Sequence, residues 1–190
     1  PTQRDKLVLS PIRIGTGEAL LKYQFMRDWF SFAFSLILIF IGIVMTTIPL
    51  GFIAKEPSTI PFLWLGLSSL SIGVWGVGEC NLTGLIFPYP TMLYVTSYIG
   101  LFFTAIPLLH FGLMVVQPKN SRPIMFILTL HTVLATVAVL LQFSGLVDFP
   151  QSLYWFHVII PISLSTFIAL LLGEWLHNHI TAARRVAPGI

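Results

Sequence analysis

The chain has 190 residues, 56% of them hydrophobic and only 9% charged, with a formal net charge of +3. Soluble domains carry about a quarter charged residues, so this composition excludes a water-soluble globular fold, and the scattered basic residues argue against a nucleic-acid surface. A single cysteine, Cys80, excludes an internal disulfide, and no Cys/His set has zinc spacing.

The chain opens at Pro1 with no initiator Met and no signal peptide, which reads as a segment of a longer product. Residues 1–28 are mixed in character. Ile12-Arg13-Ile14 alternates like the end of a strand, and Gly15-Thr16-Gly17 reads as a turn before Glu18 to Met26. This stretch is expected to be extracytoplasmic or interfacial, the end of a larger outer domain. No charge appears from Trp29 to Ala54, between Arg27-Asp28 and Lys55-Glu56. A bilayer crossing takes roughly 20 apolar residues, so 29–54 is predicted as the first spanning helix. Further spans are predicted at 60–78, 91–116, 123–145 and 152–176, with 177–190 as a tail. The fold class is therefore all-α: a polytopic membrane bundle of about five transmembrane helices behind a short extracytoplasmic segment. Connections such as Lys55 to Thr59 and Gln117 to Arg122 are too short for anything but antiparallel neighbours.

Basic residues near membrane ends are retained in the cytoplasm. Lys55, Lys119, Arg122, Arg184 and Arg185 fall on one side by alternation, while the stretches Asn81 to Pro90 and Leu146 to Gln151 carry none. The predicted topology is a multi-pass protein of the cell membrane, N-terminus outside and C-terminus cytoplasmic. Arg4, Lys6, Arg13, Lys22 and Arg27 run against it. A long translocated segment upstream would resolve the conflict, because such segments largely escape the charge rule.

Gly66, Ser69, Gly73 and Gly76 recur at steps of three and four and line one helix face with small side chains, where a second backbone can approach closely. Ser97, Gly100 and Thr104 in the third span, and Thr129, Thr132 and Thr136 in the fourth, repeat the pattern. Plain helix packing is the simplest role for all three sets. Pro107 and Pro161 each remove a backbone donor within a span and can kink it.

Ionisable groups inside membrane segments are expensive and are functional candidates by default. Glu79 ends the second span, and His157 lies near the same membrane face in the fifth. Together they suit a proton sensor or a polar-ligand site; the plain alternative is that Glu79 reaches water beside Asn81. His110 and His131 lie about 9 and 12 Å from the opposite ends of their helices. Two facing imidazoles at similar depth suit axial ligation of a b-type haem, against the plainer reading of histidines bonded to Thr132, Thr104 or a backbone carbonyl. Glu174 and His177, with His179 beyond, lack the duplicate pair and extra glutamates that a di-iron site requires. A phosphate loop, a nucleophile elbow and a Cys/His dyad are all missing. These residues therefore predict no catalytic group, no metal site and no cofactor, so this stretch is not expected to be an enzyme. The Asn81-Leu82-Thr83 triplet matches a glycosylation acceptor, but it sits too close to the membrane to be given weight.

Several stretches resemble the multi-pass membrane sensor region of Gram-positive bacterial signalling proteins, notably diguanylate cyclases of the GGDEF type. Ile14-Gly15, Glu18-Ala19-Leu20-Leu21 and Arg27-Asp28 look like the exit from an extracytoplasmic β-domain into such a sensor's first helix. Leu70 to Glu79 (LSIGVWGVGE), Phe103 to Phe111 (FTAIPLLHF) and Phe143 to His157 (FSGLVDFPQSLYWFH) look like its second helix, its third helix and its fourth-to-fifth connection. The likeness covers most of the chain and implies a parent protein with an outer ligand-binding domain, further helices and a cytoplasmic output domain. No GGDEF motif is present here, so cyclase activity does not carry over to these residues; Trp75, Glu79 and His157 are the positions that match the family's anchors.

The expected function is thus a transmembrane sensory module relaying an outer signal to a cytoplasmic output domain absent from this chain. The partners implied are the lipid bilayer, an unidentified outer ligand and a second copy of the chain, without nucleic acid. Two other classes compete. A small-molecule transporter or half-transporter would show inverted repeats and a polar midplane site, and a haem-binding electron-transfer subunit would use His110 and His131.

Overall fold

A computed structural model describes residues 17–53, 55–118 and 120–186. Seven α-helices and one 3-10 turn (Pro57–Thr59) account for nearly all of them, and no strand occurs among the described residues. In chain order they are α1 (Gly17–Phe52), α2 (Ile60–Glu79), α3 (Asn81–Ile86), α4 (Pro90–Phe103), α5 (Ala105–Val116), α6 (Arg122–Phe143) and α7 (Phe149–Val186). Five stretches are long and apolar enough to cross a membrane: Phe25–Phe52, Pro57–Glu79, Pro90–Val116, Arg122–Phe143 and Phe149–Gly173. Bulky apolar side chains such as Phe30, Phe40, Phe126, Val133 and Trp155 stand exposed on the outside of the bundle. Water would penalise that surface, whereas lipid accepts it, and in lipid each segment must satisfy its own backbone, which a helix does. The protein is an all-α multi-pass membrane bundle.

Helix bounds depart from the uncharged runs in three places. α1 begins at Gly17, well before Trp29, because a helix can carry Glu18, Lys22 and Arg27-Asp28 through the interface while lipid excludes charge only from the hydrocarbon. α7 likewise stays helical to Val186, across most of the stretch expected as a tail. The connection after Glu79 holds the short helix α3. The strand-like reading of Ile12 to Ile14 lies outside the described residues, as does the loop residue Lys119.

α2 sits at the centre of the packing order, with α1 on one side and α4 and α5 on the other; α5 in turn packs on α6 and α7. The seam with α1 is made by the glycine ridge. A Cβ on Gly66 would lie 2.6 Å from Thr46 Oγ1, and one on Gly73 would lie 2.8 Å from the carbonyl oxygen of Ser35. Gly76 faces Ser35, and from the other side a Cβ on Gly42 of α1 would lie 2.7 Å from the backbone nitrogen of Leu70. Ser69 is partly buried on the same ridge. Across α2, Gly100 of α4 meets the Ser71 carbonyl and the Trp75 nitrogen, and Gly78 meets Ser97. Small residues on both faces thus let α2 lie against two neighbours at backbone distance. By contrast, Thr129 and Thr136 of α6 are exposed, and the hydroxyls of Thr132 and Thr136 bond carbonyls of their own helix.

The apolar core belongs to the last three spans, built on Phe102, Leu109, Leu128, Ala135, Phe156 and Ile159. Phe102 stacks on Phe156 with centroids 3.8 Å apart, and Tyr98 stacks on Phe149 at 5.4 Å. Gln142 Oε1 accepts the Phe149 N–H at 2.6 Å and so caps the start of α7. The turn between α6 and α7 passes through Gly145 at φ 72°, a left-handed backbone that glycine adopts without steric penalty.

The third span is broken at Thr104, where α4 ends and α5 begins. Pro107 is the cause: it offers no N–H and its ring crowds the carbonyl four residues back, at Phe103. At the break the Thr104 N–H shortens its reach to the Leu101 carbonyl. Two neighbouring carbonyls are taken up from outside the helix. Ser68 Oγ of α2 donates to the Thr104 oxygen at 3.4 Å, and His131 Nε2 of α6 donates to the Phe102 oxygen at 2.9 Å.

Candidate functional site

α2 stops at Glu79 because Cys80 turns the chain to an extended conformation (φ −80°, ψ 123°) before α3 starts. Thr83 of α3 folds its hydroxyl back to donate to the Val77 carbonyl, closing the corner. Asp28 of α1 holds the corner from the side: its carboxylate accepts from Asn81 Nδ2 at 3.0 Å and pairs with Arg27, whose Nε lies 2.6 Å away. The Cys80 thiol reaches the Asp28 carbonyl oxygen at 3.6 Å. Arg27 and Asp28 neutralise each other here, so the start of the first span adds no net charge.

Glu79 has no such neighbour. Its polar contact is Ser97 Oγ, 3.5 Å from Oε1, and Arg27–Asp28 is the one salt bridge among the described residues. Glu79 also lines three cavities, one against α1, one against α3 and α4, and one facing α7. The last has a volume of about 350 Å³ and is walled by Trp75 and Glu79 of α2, Leu101 of α4, and Phe156, His157 and Pro161 of α7. Small-molecule sites typically begin near this size and combine apolar walls with a few convergent polar groups.

Trp75, Glu79 and His157 therefore line one cavity. Glu79 and His157 come from helices that do not pack on each other along their lengths, so the cavity occupies the gap between α2 and α7. All three residues are exposed, and no ion pair joins Glu79 to His157.

His110 and His131 are placed elsewhere and do not face a common slot. The His110 ring lies flat on Trp64, with centroids 4.2 Å apart and planes 14° from parallel. His131 is fully buried, with both nitrogens engaged: Nε2 with the Phe102 carbonyl and Nδ1 with Ser163 Oγ of α7 at 2.7 Å. Since a carbonyl only accepts, Nε2 carries the proton, and in the neutral ring Nδ1 accepts from the Ser163 hydroxyl. No lone pair is left for a metal, so His131 does not fit an axial haem ligand. The backbone-carbonyl alternative describes its geometry. No group of three or more His, Cys, Asp or Glu side chains suited to a metal ion occurs among the described residues. The side chains of Glu174, His177 and His179 lie outside the described residues.

Ser68 and Ser163 were not singled out by the sequence, although the structure gives both a part in holding the break. Each is a fully buried hydroxyl in an apolar helix, and Ser163 stands two residues beyond a proline. Buried hydroxyls in spans that cross a proline-broken neighbour are the signal that would have found them.

No protein-family model, no curated protein and no solved structure matches the chain.

Proposed function

We propose that the chain is a transmembrane sensory module, in which a ligand bound between α2 and α7 shifts the balance between two helix packings and biases a cytoplasmic output domain outside this sequence. The observation that carries the reading is the convergence of Trp75, Glu79 and His157 on one cavity between two helices that are otherwise not packed together. A ligand can shift an equilibrium only by contacting the two states differently, and a ligand that bridges separated helices meets that condition. The same two helices are tied a short way along the bundle by the chain Ser68, Thr104 carbonyl, Phe102 carbonyl, His131 and Ser163. Movement of α2 against α7 must therefore rearrange polar contacts at a broken helix, which exist in discrete arrangements and not as a continuum.

The orientation belongs to this proposal: Lys55 and Arg122 at the cytoplasmic end, the Glu79 cavity at the outer end. So does the diguanylate-cyclase type of output, which rests on the resemblance of residues 70–79 and 143–157. The test is to express the gene product that contains this chain in membranes and measure its output with Glu79→Gln and Trp75→Ala. Altered output with unchanged insertion and melting is expected. Output equal to wild type in both variants would overturn the reading. A transporter would instead show counterflow of a labelled solute in proteoliposomes with no effect on any output.

A further inference from the structure

We infer that the cavity between α2 and α7 binds an ammonium group carried on a small apolar body, with Glu79 as its counter-charge; this names the ligand class of the proposed sensory site and rests on that reading. Three observations converge. First, Glu79 is a carboxylate at the end of a membrane span; its hydrogen-bond partner among the described residues is the Ser97 hydroxyl at 3.5 Å, with the Tyr98 phenol close by. A charge bordering lipid is ordinarily paired, and no salt bridge engages Glu79 among the described residues, so its carboxylate can meet a cationic ligand.

Second, Trp75 lines the same cavity one turn before Glu79. An indole face beside a carboxylate is the combination that attracts an organic cation, through the ring quadrupole together with the charge. Third, Pro161 sits inside α7 and cannot donate to the carbonyl four residues back, which is that of His157. Both residues belong to the cavity wall. Pro161 thus leaves the His157 carbonyl without its usual helix donor, at a residue of the cavity wall.

The rest of the lining, Leu101, Leu153, Phe156 and Ile160, is apolar and suits a hydrocarbon or aromatic body. An anion is disfavoured by Glu79, and a strongly hydrated inorganic cation by a wall with too few oxygen groups to replace its hydration shell. Two sources share this chemistry, a free amine and the headgroup of an aminophospholipid.

The test uses the whole chain in nanodiscs of phosphatidylglycerol, which has no ammonium headgroup, titrated calorimetrically with 2-phenylethylammonium chloride and separately with 2-phenylethanol. Saturable binding of the amine, binding of the alcohol at least tenfold weaker, and a tenfold or greater loss in Glu79→Gln are expected. Glu56→Gln, at the opposite end of the bundle, should bind like wild type. Phosphatidylethanolamine is then added to the nanodiscs. Competition with the amine, and retention of that lipid in native mass spectra of wild type but not of Glu79→Gln, would identify the headgroup as the source; undisturbed amine binding would identify the free amine. Equal affinity of wild type and Glu79→Gln, equal affinity for amine and alcohol, or no binding of either ammonium source overturns the inference. If binding fails while the output still responds to Glu79→Gln, the ligand class falls and the sensory reading stands. Intact binding with an indifferent output gives the converse.

Discussion

His131 Nε2 donates to the carbonyl oxygen of Phe102 across the gap between α6 and α4, at 2.9 Å and with the ring fully buried. The bond fills a place that the broken third span leaves open, and through Nδ1 and Ser163 the same ring reaches α7. One imidazole therefore joins three spans. Interhelical hydrogen bonds in membranes average well under 1 kcal/mol, but a deletion that strands a buried acceptor costs more. His131→Ala, which also opens a void beside Phe156, is expected to destabilise the bundle by about 2 kcal/mol. His131→Asn, which keeps one donor, should recover part of that loss. Reversible unfolding in mixed micelles titrated with dodecyl sulfate measures both; a change under about 0.5 kcal/mol for the alanine variant would mean the bond contributes little.

Pro107 and His131 should be coupled. Pro107→Ala returns an N–H to the helix and lets α4 and α5 rewind through Thr104, which draws the backbone oxygens back into the ladder. His131 then loses the geometry that made its bond worthwhile. In a double-mutant cycle the cost of His131→Ala is expected to be smaller in the Pro107→Ala background than in wild type, with a coupling energy of about 0.5–1 kcal/mol. Strict additivity would show that the break and the histidine are independent.

The spans were legible because lipid imposes a rule on composition: where charge is absent for long enough, the chain crosses. That rule locates hydrocarbon and not helix ends, so α1 and α7 outrun the runs that revealed them. Pro107 announced a kink, yet the residues that complete it lie far away in sequence, on α2, α6 and α7. No local periodicity connects Ser68 to Thr104. The glycine ridge was visible as a pattern at Gly66, Gly73 and Gly76, whereas its partner face on α1, with Gly42 and Ser35, emerges only from the docked pair. Membrane depth put Glu79 and His157 near one face, and the structure has both lining one cavity without an ion pair between them. Depth cannot say that α2 and α7 stand apart, and it is this separation that makes room for a cavity.

Backbone-distance packing of α1 on α2 predicts a contrast among glycines. A Cβ on Gly73 would lie 2.8 Å from the Ser35 carbonyl and 2.9 Å from the Ile39 nitrogen, backbone atoms that cannot rotate aside. Gly73→Ala must push the helices apart, and overpacking of this kind costs about 1–3 kcal/mol. Nothing lies within 4 Å of a Cβ on Gly173. Gly173→Ala is expected to be neutral or slightly stabilising, since alanine is the better helix former by up to about 1 kcal/mol. Thermal melting in detergent compares the two, and limited proteolysis should release α1 first in the Gly73 variant, because α1 touches little besides α2 and the α3 corner. Equal melting of both variants would remove the close seam.

The proposed orientation makes a prediction that depends on no ligand. Lys55 and Arg122 are exposed at one end of the bundle, and Asp148 is exposed at the other, beyond the turn that precedes α7. If basic loops stay in the cytoplasm, a cysteine placed at Lys55 is shielded in intact cells and one placed at Asp148 is open to the medium. Cys80 needs removal first, although it is buried at 7% exposure and bonded to the Asp28 carbonyl, so that its own slow reaction does not blur the result. In a Cys80→Ser background, a membrane-impermeant maleimide is expected to label Asp148→Cys in whole cells, and Lys55→Cys only after lysis. The reverse pattern would turn the bundle over and put the Glu79 cavity on the cytoplasmic side, where it would meet metabolites of the cell and not an external signal. Labelling of both sites in intact cells would mean a mixed topology, which the even spread of basic residues between the first 28 positions and the rest of the chain would then explain.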